Sequence, residues 1–176
     1  MLVGILATLL LGAGAICLVV GATRTLRARS VEPVSLLWGL AVLLQLAASW
    51  WAIAFASGPW PPLALAFLAA AIVALLVASV LVLPMLSRSP GATARGRFEE
   101  SGRWGLLGLA AFNLIALAAN REVWYEGVLA DAGRVNLVLA IIAIAGFLAR
   151  GRARMATAAG YLAIFVWDWA GLPTFG

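Results

Sequence analysis

The sequence has no histidine and no lysine, and its one cysteine, Cys17, lies inside an apolar run. Without histidine there is no bis-histidine haem ligation, no H-E-x-x-H zinc site and no histidine-dependent catalytic triad. Without lysine no retinal Schiff base can form, which removes rhodopsin chemistry. A single cysteine forbids an intrachain disulfide, and a buried thiol with no neighbouring base packs rather than reacts. Neither a G-x-x-x-x-G-K-[ST] phosphate loop nor a G-x-S-x-G elbow occurs. Charge is scarce, with seven acidic and twelve basic residues in 176. No two acids share an apolar run, as an intramembrane aspartyl protease would need. The expectation is a non-enzymatic chain without metal or cofactor.

What is present is hydrophobic length. Hydrophobic residues make up 65% of the chain, and the mean hydropathy is +1.07. A helix needs about 20 predominantly apolar residues to cross a bilayer, because backbone groups in hydrocarbon must be satisfied within the segment. Five runs, at about 2–22, 34–55, 63–85, 104–120 and 134–149, approach or meet that length, and a shorter sixth lies at 155–169. They predict an all-α, polytopic transmembrane bundle of six helices, one membrane domain over residues 1–176. Proline and glycine punctuate it, at Val31-Glu32-Pro33 and across Ser57–Pro62. Residues 1–22 lack a basic leader, and their apolar run outlasts the roughly 7–15 residues of a signal peptide, so a retained helix is expected. The segment 121–133 is expected to hold a short surface helix. The sixth run, of about 15 residues, rises only roughly 22 Å, so Arg154 would have to snorkel or the bilayer thin for it to span.

All twelve basic residues are arginines, and they alternate side. Successive connections carry three, none, four, two and three of them. The loops 23–33, 86–103 and 150–154 would share one face of the membrane, with ten arginines against two. The positive-inside rule makes that face cytoplasmic and puts both termini on the outer, periplasmic side. Topology thus explains the net charge of +5, and no nucleic-acid partner is expected.

Close packing in lipid depends on small residues and polar contacts rather than on burying leucine. Fourfold repeats of small residues occur at Gly4, Thr8 and Gly12, at Ala66, Ala70, Ala74 and Ala78, and at Ala159 with Ala163. These are expected packing faces, toward helices of this chain or of a partner. Gln45 in the second run and Asn113 in the fourth fall at similar depth and could hydrogen-bond, with Ser49 one turn from Gln45. The plainer reading of these amides is interhelical glue; the sharper one is a polar patch lining a solute path. Asp168 stands near the outer end of the sixth run, either wet or paired with Arg121 or Arg134, or else functional. Trp50, Trp51, Trp60, Trp124, Tyr125, Trp167 and Trp169 gather on the outer side with Glu122 and Glu126. They form an interfacial belt or, beyond that, a cage for a cation or a docking face.

The run Leu43-Leu44-Gln45-Leu46 leading to Trp50-Trp51, the stretch Phe67–Pro84 and the loop Arg97-Phe98-Glu99-Glu100 through Arg103-Trp104 carry a resemblance. Over about residues 43–115 the chain resembles a group of small, uncharacterised, multi-pass bacterial inner-membrane proteins. The resemblance implies a polytopic bundle and no particular activity. The function favoured is a non-catalytic subunit or scaffold, its partners being the lipid bilayer and other membrane subunits or further copies of itself. The alternatives are a small oligomeric transporter or channel with a polar path near Gln45 and Asn113, and a membrane sensor working through the loop Ser87–Arg103.

Overall fold

The computed structural model describes residues 2–27, 32–55, 62–83, 96, 98–123 and 129–171. These form helices only: α1 (Leu2–Arg27), α2 (Pro33–Phe55), α3 (Pro62–Val82), a π-helical turn (Phe98–Gly102) leading into α4 (Arg103–Val123), α5 (Leu129–Leu148) and α6 (Arg152–Gly171). Four helical segments, Gly4–Arg27, Pro33–Ile53, Pro62–Val82 and Phe98–Ala119, are long and apolar enough to cross a membrane. The apolar part of α5, Gly133–Leu148, is shorter, and α6 carries Arg152, Arg154 and Asp168 within its length. Length and composition therefore single out four helices where the hydrophobic runs alone led us to expect six.

Several helices outrun their apolar segments. α1 continues through Arg24 and Arg27, where arginine suits a helix C-terminus; the hydroxyls of Thr23 and Thr25 bond back to the carbonyls of Val20 and Gly21, both at 2.9 Å. Residues 23–27 of the expected loop 23–33 are thus helical, as are 98–103 of the loop 86–103 and 152–154 of the loop 150–154. In 121–133 no separate helix stands among the described residues: Arg121–Val123 end α4 and Leu129 begins α5. The α5–α6 turn is tight, with the Ala149 amide donating to the Ala145 carbonyl at 2.8 Å. Gly151 then takes a left-handed conformation, φ 55°, which glycine adopts without a Cβ penalty.

Helices α2, α4 and α6 start at the end of the bundle where α1, α3 and α5 finish. Gly21 near the end of α1 and Gly39 near the start of α2 both abut Leu83, just beyond α3. Gly146 near the end of α5 faces Trp38 of α2 and Thr157 of α6. The tightest seam lies between α3 and α4. A Cβ on Gly105 would stand 2.5 Å from Val82 Cγ2 and 2.8 Å from the Val82 nitrogen, and one on Gly108 would stand 3.0 Å from the Ala74 carbonyl oxygen. These glycines let two backbones touch, as close helix approach in lipid requires. Trp38, Leu75, Leu106, Leu109, Leu139 and Tyr161 fill the centre and are fully buried. The outside is apolar as well: Leu9, Ile16, Val73, Ile141 and Leu148 are all exposed. A surface of this kind is an aggregation liability in water and an ordinary one in lipid.

Candidate functional site

Gln45, Asn113 and Tyr161 converge in the bundle interior where α2, α4 and α6 meet, while the buried Ser79 of α3 bonds back to the Leu75 carbonyl. Each lies within an apolar helix, where a buried polar group must find its partners in the protein. Gln45 Nε2 donates to the Tyr161 hydroxyl at 2.9 Å and, over 3.4 Å, to Asn113 Oδ1. Asn113 Nδ2 donates to the same hydroxyl at 3.0 Å and to the Leu109 carbonyl one turn back at 2.8 Å. Asn113 and Tyr161 are completely buried and Gln45 nearly so. The trio is neutral and bonded within itself. Trp38 covers it on the side of the arginine-bearing end, its ring edge-on to Tyr161 with centroids 5.4 Å apart at 61°. The Trp38 indole N–H is buried without a hydrogen-bond partner.

Two turns before Tyr161, on the same inward face of α6, lies Arg154. Only 3% of it is exposed. Its Nη1 pairs with Glu99 Oε1 at 2.6 Å, and its Nε donates to the Gly146 carbonyl at 3.0 Å. The guanidinium sits 5.4 Å from the centroid of the buried Phe98 ring. One side chain thereby ties the π-helical turn, the end of α5 and the start of α6 together. Arg154, which the sequence placed in the loop 150–154 and which would snorkel if the short sixth run is to span, instead turns inward to these partners. The Glu99 side chain keeps 38% of its surface exposed, so the pair is buried on one partner only. A second guanidinium, of Arg103, stands 5.6 Å from both the Trp104 and Phe147 ring centroids, with its Nε buried and unpartnered.

The remaining expected residues fall apart from this line. Ser49 is half-buried one turn from Gln45 and does not join the trio. Asp168 is half-buried near the end of α6. Trp50, Trp51, Trp167 and Trp169 are exposed at the ends of α2 and α6. Trp60, Trp124, Tyr125 and Glu126 lie outside the described residues, as does the side chain of Glu122.

The small-residue repeats divide sharply. Ala78 is buried and Ala74 half-buried against α4, whereas Ala66 and Ala70 of the same stripe are exposed. On α1, Thr8 and Gly12 are exposed, and a Cβ on Gly4 or Gly12 would meet nothing within 4 Å. The inner face of α1 is instead Ala7, Leu11, Gly14, Leu18 and Gly21, with Gly14 against Ser79 and Leu46. Ala159 and Ala163 of α6 also face outward, because Ala158, Tyr161 and Phe165 take the inner side.

Reasoning from sequence missed Tyr161 and the Glu99–Arg154 pair. A signal existed for the first: a tyrosine within an apolar helix must find a partner for its hydroxyl, and the nearest class of partner at that depth was the two amides. Among the described residues no group of three metal-ligating side chains converges. No protein-family model, curated protein or solved structure matches the chain.

Proposed function

We propose that this chain is a multi-pass protein of the bacterial inner membrane, acting as a non-catalytic subunit or scaffold against which other membrane proteins, or further copies of it, pack. The observation that carries the reading is the small-residue surface the fold leaves unused. Ala66 and Ala70 on α3 and Ala159 and Ala163 on α6 are exposed, and Gly4, Thr8 and Gly12 on α1 are left without close packing, Thr8 and Gly12 along an open groove beside α2. In lipid such faces are where helices approach one another. The polar trio supports the same reading, since its amides and phenol are engaged with each other as interhelical glue.

In this proposal all six helices cross. The pairing of Arg154 with Glu99 removes the need for that arginine to snorkel, which lets α6 span with its full 20 residues. The end where α2, α4 and α6 begin carries the arginine-rich connections and faces the cytoplasm by the positive-inside rule; both termini lie outside. The resemblance to small bacterial inner-membrane proteins supports the location.

Purification from native membranes in mild detergent, with mass determination and identification of co-purifying chains, tests the role. The expected result is a stoichiometric partner or a defined oligomer. A partner-free single chain with solute flux of its own would replace the subunit reading with a carrier. Reporter fusions at each loop test the topology, with activity of a periplasm-dependent reporter expected at the C-terminus and none in 86–97.

A further inference from the structure

Between the starts of α2 and α6 and the π-helical turn lies a cavity of about 210 Å³, with Glu32, Glu99, Arg152 and Arg154 in its wall beside Val34 and Met155. Two carboxylates and two guanidiniums share one small space. Arg154 spends Nε on Gly146 and Nη1 on Glu99; its Nη2 has no hydrogen-bond partner among the described residues. A guanidinium only 3% exposed thus reaches the cavity wall with Nη2 left to donate to a ligand there. Two long helices also present their N-termini here, α2 from Pro33 and α6 from Arg152, and both favour an anion.

We infer that this cavity binds a phosphate–ammonium zwitterion, the headgroup chemistry of an ethanolamine phospholipid. The phosphate lies between Arg152 and Arg154 Nη2, where a guanidinium fork suits phosphate oxygens. The ammonium donates to Glu32 and to the wet side of Glu99. Three features select this ligand. Among the described residues the wall carries two carboxylates and two guanidiniums, which fits a zwitterion. Among the described residues none that line it is aromatic, and a primary ammonium with three N–H donors fits its carboxylates. The volume is below the roughly 300–1,000 Å³ of drug-sized sites, a match for a headgroup with its chains left outside. The inference adds a ligand to the subunit reading and does not depend on a protein partner, so either can fail alone.

The test is native mass spectrometry of the full chain, loaded from mixed micelles with phospholipids of equal acyl chains bearing ethanolamine, choline or glycerol headgroups. Retention of the ethanolamine lipid should exceed that of the other two by roughly tenfold, the worth of one charge-assisted hydrogen bond. Glu32→Gln should abolish the preference over the glycerol lipid, and Arg152→Gln should weaken retention of all three. Both residues stand at the cavity wall, and their side chains make none of the helix–helix bonds described above, so the fold should survive. Adding soluble glycerophosphoethanolamine separates the two sources of this chemistry: no displacement assigns a membrane lipid, and displacement at equal concentration assigns a free solute. Equal retention of the three lipids, or retention unmoved by both substitutions, would overturn the site.

Discussion

Two sets of small residues in this molecule look alike in sequence and do opposite things. Gly102, Gly105 and Gly108 of the α4 entry press against Val82, Ala78 and Ala74, so closely that added Cβ atoms would strike backbone. Gly4, Thr8 and Gly12 of α1 have the fourfold spacing associated with helix contacts, yet none is closely packed: Thr8 and Gly12 border an open groove beside Leu43, Ala47 and Trp50 of α2, and a Cβ on Gly4 or Gly12 would meet nothing within 4 Å. The difference teaches that spacing identifies a surface able to approach another helix, while the internal fold decides which such surfaces it consumes. In the proposed reading, what it does not consume is left for partners in the membrane.

Substitution at the two sets should therefore separate stability from association. The largest effect is expected at Gly105→Leu, which must force α3 and α4 apart; overpacking of this kind costs about 3 kcal/mol, to be read as lost folded protein in a denaturant titration in detergent. Glu99→Leu comes next, at about 2 kcal/mol, below the usual cost of orphaning a buried charge because Glu99 is partly wet. Arg154→Met should cost less than Glu99→Leu, since it removes the buried charge itself and leaves the exposed partner to solvent. The reverse order would break the claim that Arg154 is the buried member. Tyr161→Phe withdraws the hydroxyl that both amides use and should cost about 1 kcal/mol, within the range of membrane hydrogen bonds. At the bottom, Gly12→Leu should change bundle stability by less than about 0.5 kcal/mol while lowering the yield of any co-purifying chain.

Much of the bundle was legible. Apolar length marked the six helices, and Pro33 and Pro62 stand at the starts of α2 and α3, as proline's fixed φ suits a first helical position. The Gln45–Asn113 contact was foreseeable because two amides at one depth in hydrocarbon have little else to bond. Tyr161 was harder, since an aromatic with a polar tip reads equally well as an interfacial anchor. Arg154 was read with its neighbours Arg150 and Arg152 as part of a basic loop; only the fold brings Glu99, 55 residues earlier, beneath it. The orientation of the small-residue stripes was not legible at all, because helical periodicity gives a face without saying what the face meets.

The most direct test of the central claim, that the open Gly4–Thr8–Gly12 stripe of α1 is an association surface separate from the bundle's own packing, is a paired measurement on wild type and Gly12→Leu. Both would be purified from native membranes, then analysed for particle mass and for unfolding midpoint in the same detergent. The expected result is a smaller particle for Gly12→Leu with an unchanged midpoint. A particle of unchanged mass, or a loss of mass that comes only with a matching loss of stability, would contradict it.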